Sequence, residues 1–98
     1  MKTLTEIRED LKEIRYYYSR KKMFDEASRV VGKSNVMAKV ERYSEAIRDA
    51  EPRYYDLYIN LYEGFTQEGL AAEMNYTTEY IQILNKRLVL YLQKNLKD

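Results

Sequence analysis

The chain of 98 residues contains no cysteine, no histidine and no tryptophan. Without cysteine there are no disulfides, no thiolate metal ligands and no thiol nucleophile. Without histidine no side chain has an ordinary pKa near neutrality, and the commonest metal ligand and proton shuttle is missing. These two absences remove most enzyme chemistry, so the expectation is a protein that is not an enzyme and needs no cofactor. Three glycines and one proline are too few to punctuate a chain of short strands and turns. No apolar run approaches the roughly 20 residues that cross a bilayer. The opening stretch "MKTLTEIREDLKEI" is too charged for a signal peptide, which points to a cytoplasmic protein without a membrane partner.

Charge and tyrosine are abundant. One third of the residues are charged, 34%, and 11 are tyrosines. The net charge of +1 hides an asymmetry: residues 1–50 hold 12 Lys/Arg against 9 Asp/Glu, whereas residues 51–98 hold 5 against 7. A site for an acidic polymer must therefore be local. The densest positive stretch is "RYYYSRKK", Arg15 to Lys22.

Hydrophobic periodicity predicts an all-α fold of about five helices in a single domain, 1–98, with an N-terminal helical hairpin (1–50) ahead of a second part (51–98). Leu4, Ile7, Leu11, Ile14 and Tyr18 follow the three-four spacing of one helix face. "RYYYSRKK" falls in that first helix, with Tyr18 inward and Tyr17 at the border. The helix either stops soon after or continues to Val31, where Gly32 would cap it. A second seam, Val36, Val40, Tyr43, Ile47 and Ala50, starts behind a cap at Ser34 or Asn35. Pro52 suits the first turn of a third helix, "RYYDLYINLYEG", which Gly64 terminates. A short helix, "QEGLAAEMN", begins after Thr66. The last, capped by Thr77 or Thr78, runs through Ile81, Leu84, Leu88, Tyr91, Leu92 and Leu96.

The stretch "TQEGLAAEMNYTTEYIQILNK" has the layout of a helix-turn-helix. Leu70 and Met74 line the inner face of the first helix, and Ala71 is the small residue where the two backbones cross. Asn75 stands where the turn requires a positive φ, which Asn adopts more easily than most residues. Tyr76 plugs the turn, and Ile81 and Leu84 face inward from the second helix.

On these residues, "YEGFTQEGLAAEMNYTTEYIQIL" resembles the promoter-reading fourth region of bacterial sigma factors over residues 54–96. The shared features are an aromatic-Glu-Gly turn, a Thr, a Glu two residues on, a Leu-Ala pair and a second capping Thr. The whole layout also resembles small phage late-gene transcriptional regulators of the RinA and ArpU kind. The resemblance implies a small transcriptional regulator from a phage or mobile element of a Gram-positive bacterium, with duplex DNA as partner and RNA polymerase as a second candidate. The sequence departs from that pattern in carrying Asn75 for the usual glycine and in a recognition helix with fewer basic residues.

In a helix-turn-helix the second helix enters the major groove. Its outward residues here are Thr78, Glu79, Gln82, Ile83 and Lys86, with Arg87 beside them. Gln82 suits adenine, Lys86 a guanine or phosphate, Glu79 cytosine and Ile83 a thymine methyl; Thr77 and the helix N-terminus suit a phosphate. The helix offers fewer cations than the roughly six to ten phosphate contacts common among specific binders. The remainder must come from the N-terminal half, a homodimer or RNA polymerase. Arg20, Lys21 and Lys22 are the candidate phosphate clamp.

Other readings have their own features. Glu41, Glu45 and Asp49 step by four along the second seam's helix, a spacing that could ligate a hard cation, but the expectation is no metal site and a solvated face paired with Lys39, Arg42 and Arg48. Val89 and Leu90 lie off the inward stripe of the last helix, and Leu57, Tyr58 and Ile59 make the third apolar on more than one side. That surplus is a central helix or a subunit interface. A protein-binding module docking on RNA polymerase or a host regulator, and a small terminase-like packaging adaptor, are the alternatives to a DNA reader.

Overall fold

The computed structural model describes residues 1–32, 34–63 and 75–96. It is all-helical, and the described residues form five helices: α1 (Leu4–Ser19), α2 (Lys21–Val31), α3 (Asn35–Arg48), α4 (Pro52–Glu63) and α5 (Thr78–Asn95). The short helix expected after Thr66, with Leu70, Ala71 and Met74, and the stop at Gly64 lie outside these residues. None of the described helices is long and apolar enough to cross a membrane.

Each boundary has a local cause. Thr3 and Glu6 form a reciprocal capping box at α1: the Glu6 N–H donates to Thr3 Oγ1 at 3.1 Å and the Thr3 N–H to Glu6 Oε1 at 3.1 Å. Ser34, not Asn35, caps α3, its hydroxyl oxygen accepting the Met37 N–H at 3.2 Å. Pro52 opens α4 as expected, since its missing N–H costs nothing in a first turn. Gly32 ends α2 at φ 83°, with its N–H donating to the Ser28 carbonyl at 3.0 Å. Its backbone lies in a region open to glycine and costly for other residues.

The first segment is not one continuous helix. The chain breaks at Arg20, with φ −130° and ψ 31°, so only "RYYYS" of the tyrosine-rich stretch belongs to α1; Arg20 is the joint and Lys21 and Lys22 start α2. The Ser19 hydroxyl bonds back to the Tyr16 carbonyl at 2.7 Å, the local competition by which serine loosens a helix end. Phe24 then folds onto Tyr17, ring centres 5.4 Å apart, and the Tyr17 hydroxyl donates to Asp25 Oδ1 at 3.3 Å. Hence Tyr17 is buried and Tyr18 only half-buried, reversing the expected order. A straight helix drifts against a heptad repeat, and here the drift decides the register at the last step.

Four helices, α1, α3, α4 and α5, pack against one another, and α2 touches α1 alone among the described residues. Ile7, Leu11 and Ile14 from α1, Tyr43 and Ile47 from α3, Leu57, Tyr58 and Leu61 from α4 and Ile81, Leu84, Leu88 and Leu92 from α5 form one apolar cluster. Helices of both sequence halves thus share one core. The apolar surplus of α4 is accounted for by its place in that core, as is Val89, which is buried; Leu90 stays 45% exposed.

α1 and α3 are also joined by charge. Asp10 is the single buried charged side chain among the described residues. It accepts from Tyr43 Oη at 2.7 Å and pairs with Lys39 at 2.9 Å and Lys2 at 3.0 Å. Burial pushes its carboxyl up, but the bonds from Lys39, Tyr43 and Lys2 outweigh that and hold it below the usual range. Lys39 also meets Glu13 at 2.6 Å. It therefore serves α1 and not the Glu41–Glu45–Asp49 face of its own helix.

Candidate nucleic-acid interface

The start of α5 is held from three sides. Asn75 has φ 59°, the left-handed conformation anticipated from its place in the turn. Tyr76 is half-buried, packed against the core, and meets Tyr80 edge-on with ring centres 4.9 Å apart. Arg53 of α4 donates to Tyr80 Oη at 3.1 Å. Thr77, not Thr78, is the N-cap, its hydroxyl oxygen accepting the Tyr80 N–H at 3.1 Å. An accepting hydroxyl keeps its own proton to donate, so Thr77 can still serve a phosphate oxygen.

The inward face is the expected one: Ile81 and Leu84 are both fully buried. Opposite them Glu79, Gln82, Ile83 and Lys86 are exposed, and Thr78 is half-buried. At about 100° per residue, Glu79, Gln82 and Lys86 fall within about 60° of one another. They form a strip with an acceptor, an amide and a cation in reach of one ligand. Ile83 borders it, 47% exposed. Arg87 stands apart, about 140° around the helix from Gln82. It borders a shallow groove with Tyr54, Leu90, Tyr91 and Lys94.

Tyr91 and Tyr62 pack through their rings and bond at their tips. Tyr91 donates to the Ala46 carbonyl at 2.9 Å, and Tyr62 to Asn85 Oδ1 at 2.6 Å. Burial pushes the Tyr62 hydroxyl up to about 12, so it remains a donor at any physiological pH. Asn85 carries no signal in the sequence, since an amide at a half-inward position has no period of its own. The bond from Tyr62 turns it into a fixed point beside Gln82 and Lys86.

Arg20, Lys21 and Lys22, the cations expected to act as a clamp, are exposed but differ in their contacts. Arg20 lies over the Tyr16 ring, 4.5 Å from its centre. Lys21 is paired with Asp25 at 3.0 Å. Lys22 forms no ion pair among the described residues. Gln93 near the end of α5 donates to the Lys2 carbonyl ahead of α1 at 3.0 Å, whereas Arg8 and Arg15 in mid-α1 lie close enough to act on the Tyr62 hydroxyl that holds Asn85. The start of α1 therefore lies beside the end of α5.

Compared with known proteins, the chain matches no family model, no curated protein and no solved structure.

Proposed function

We propose that the protein is a sequence-specific DNA-binding transcriptional regulator that reads duplex DNA with the N-terminal half of α5. The observation that carries this reading is the strip Glu79, Gln82 and Lys86, with Ile83 at its edge, on a helix whose start is fixed by Asn75, Thr77 and the Arg53–Tyr80 bond. A fixed helix start presenting an acceptor, an amide, a cation and an apolar side chain supplies the chemistry that distinguishes base pairs in the major groove. The positive φ at Asn75 also supports a helix-turn-helix connection ahead of α5. Gln82 pairs with adenine, Lys86 with guanine or a phosphate, and Thr77 with a phosphate at the helix start. Arg20, Lys21 and Lys22 hold the backbone without reading bases. The regulator acts alone, as a homodimer or with RNA polymerase, and the resemblance to phage late-gene regulators is what supports a phage or mobile element as its source.

The test is selection of duplexes from a randomised pool, followed by binding of the enriched and a scrambled duplex across salt. A reader enriches a motif, and Gln82→Ala or Lys86→Ala relaxes the preference by about 1–3 kcal/mol at the affected base pair. Absence of any duplex binding at low salt would falsify the reading.

One observation favours a protein contact as a second reading. α2 leaves Met23 53%, Val30 85% and Val31 81% exposed on one side, which suits docking on RNA polymerase or another regulator. In that reading Met23→Ser with Val30→Ser abolishes partner binding, whereas Gln82→Ala leaves it intact.

A further inference from the structure

α1 is split lengthwise by charge. On one flank Asp10 and Glu13 turn to α3, where Lys39 pairs with both, at 2.9 and 2.6 Å, and Lys2 closes on Asp10 at 3.0 Å. On the other flank stand Arg8, Lys12 and Arg15, all exposed. The seven-residue step sets Arg8 and Arg15 within about 20° of each other around the helix, and Lys12 lies about 40–60° further out. Arg8 and Lys12 form no ion pair among the described residues. The acids of α1 that face its neighbours are thus occupied by lysines on the far flank, and the near-neutral count for the helix as a whole conceals a cationic row.

Two members of that row, Arg8 and Arg15, connect to α5 through Tyr62. Tyr62 lies within the electrostatic reach of both Arg8 and Arg15 and donates to Asn85 at 2.6 Å. Asn85 is one residue from Lys86 and three from Gln82. A duplex whose major groove admits α5 presents a phosphate strand alongside the helix, where guanidinium and ammonium groups supply most of the affinity.

We propose that Arg8, Lys12 and Arg15 form a phosphate-gripping row that holds the backbone of the duplex alongside the Gln82–Lys86 strip. The inference rests on the DNA-reading proposal and makes α1, packed in the core, a positioning element for α5. With the cations of α5 and the Arg20–Lys22 cluster, the row brings the protein into the range of about six to ten phosphate contacts without a second subunit.

The test titrates a labelled random-sequence duplex with the full chain, with the variant carrying Arg8→Gln, Lys12→Gln and Arg15→Gln, and with a variant carrying Arg8→Lys and Arg15→Lys. The salt slope of the Gln variant falls by about 1.8–2.7, the lower figure because Arg15 already engages another group of the protein, so between roughly 50 and 200 mM salt the parent loses about twelve- to fortyfold more affinity than the variant. The Lys variant keeps the parent slope, because a phosphate contact needs charge and not the guanidinium fork. If helical content shows the triple variant unfolded, Lys12→Gln alone, at the most outward position, lowers the slope by about 1. A folded Gln variant with the parent slope, while Gln82→Ala still relaxes preference, overturns the row and leaves the reader standing. A parent that binds no duplex at low salt overturns both.

Discussion

Replacing Asp10 by alanine removes the centre of the charged contact between α1 and α3. The side chain is 8% exposed and takes bonds from Tyr43, Lys39 and Lys2. Breaking a buried pair by deleting one partner costs about 3–5 kcal/mol, chiefly because the remaining groups stay desolvated. Here Lys39 retains Glu13, and Lys2, 27% exposed, can rehydrate, so the low end, about 3 kcal/mol, is expected. Asp10→Asn keeps one acceptor for Tyr43 and costs about 2 kcal/mol; Tyr43→Phe leaves the carboxylate with both lysines and costs about 1 kcal/mol. Urea unfolding followed by circular dichroism resolves these differences, and Asp10→Ala lowers the melting temperature by on the order of 15 °C. The contact also sets a pH dependence. The folded carboxyl is held below its unfolded value, so the stabilisation is fully present above about pH 4 and drains away as pH falls through the lower folded value. Asp10→Asn flattens the acid limb. A loss below 1 kcal/mol for Asp10→Ala, or a larger one for Tyr43→Phe, refutes the assignment of Asp10 as the keystone.

Further outcomes follow from single features. Leu84→Ala empties a fully buried site in the apolar core and costs about 3 kcal/mol in the same urea assay. Asn75→Ala strains the left-handed turn ahead of α5 and costs about 1 kcal/mol, whereas Asn75→Gly stays within about 0.5 kcal/mol of the parent. Alanine at Arg20, Lys21 and Lys22 together weakens every duplex alike and lowers the salt slope by about 1–2, less than three full contacts, because Arg20 is stacked on Tyr16 and Lys21 is paired with Asp25.

Features that depend on neighbours in the chain were legible. The seam of α3, the proline at the start of α4, the inward Ile81 and Leu84, the left-handed Asn75 and the cap before α5 all follow from spacing or from the chemistry of one residue. The Thr3–Glu6 capping box was equally local, its pattern standing in "TLTE". What escaped is long-range or marginal. Tyr43 and Asp10 lie 33 residues apart and Lys39 and Glu13 lie 26 apart, so nothing in the seams says that these charges meet. The break at Arg20 has neither glycine nor proline to announce it; it rests on Ser19 and on the closure of Phe24 over Tyr17. At the interface the outward face of α5 was readable by period, but not the groove that Arg87 borders with Tyr54, Leu90, Tyr91 and Lys94. The basic residues at 8, 12 and 15 carry the helical spacing of one flank; their meaning emerges only once Lys39 is seen to occupy the opposing acids.

The proposed DNA-reading function rests on α5, whose start is fixed by Thr77 and the Arg53–Tyr80 bond and whose outward face carries Glu79, Gln82 and Lys86. The most direct measurement is selection from a randomised duplex pool with the parent and with Gln82→Ala. The account predicts an enriched motif for the parent and degeneracy at one or more of its positions for the variant, with helical content unchanged. The same motif from both proteins, or no enrichment at any salt, contradicts it.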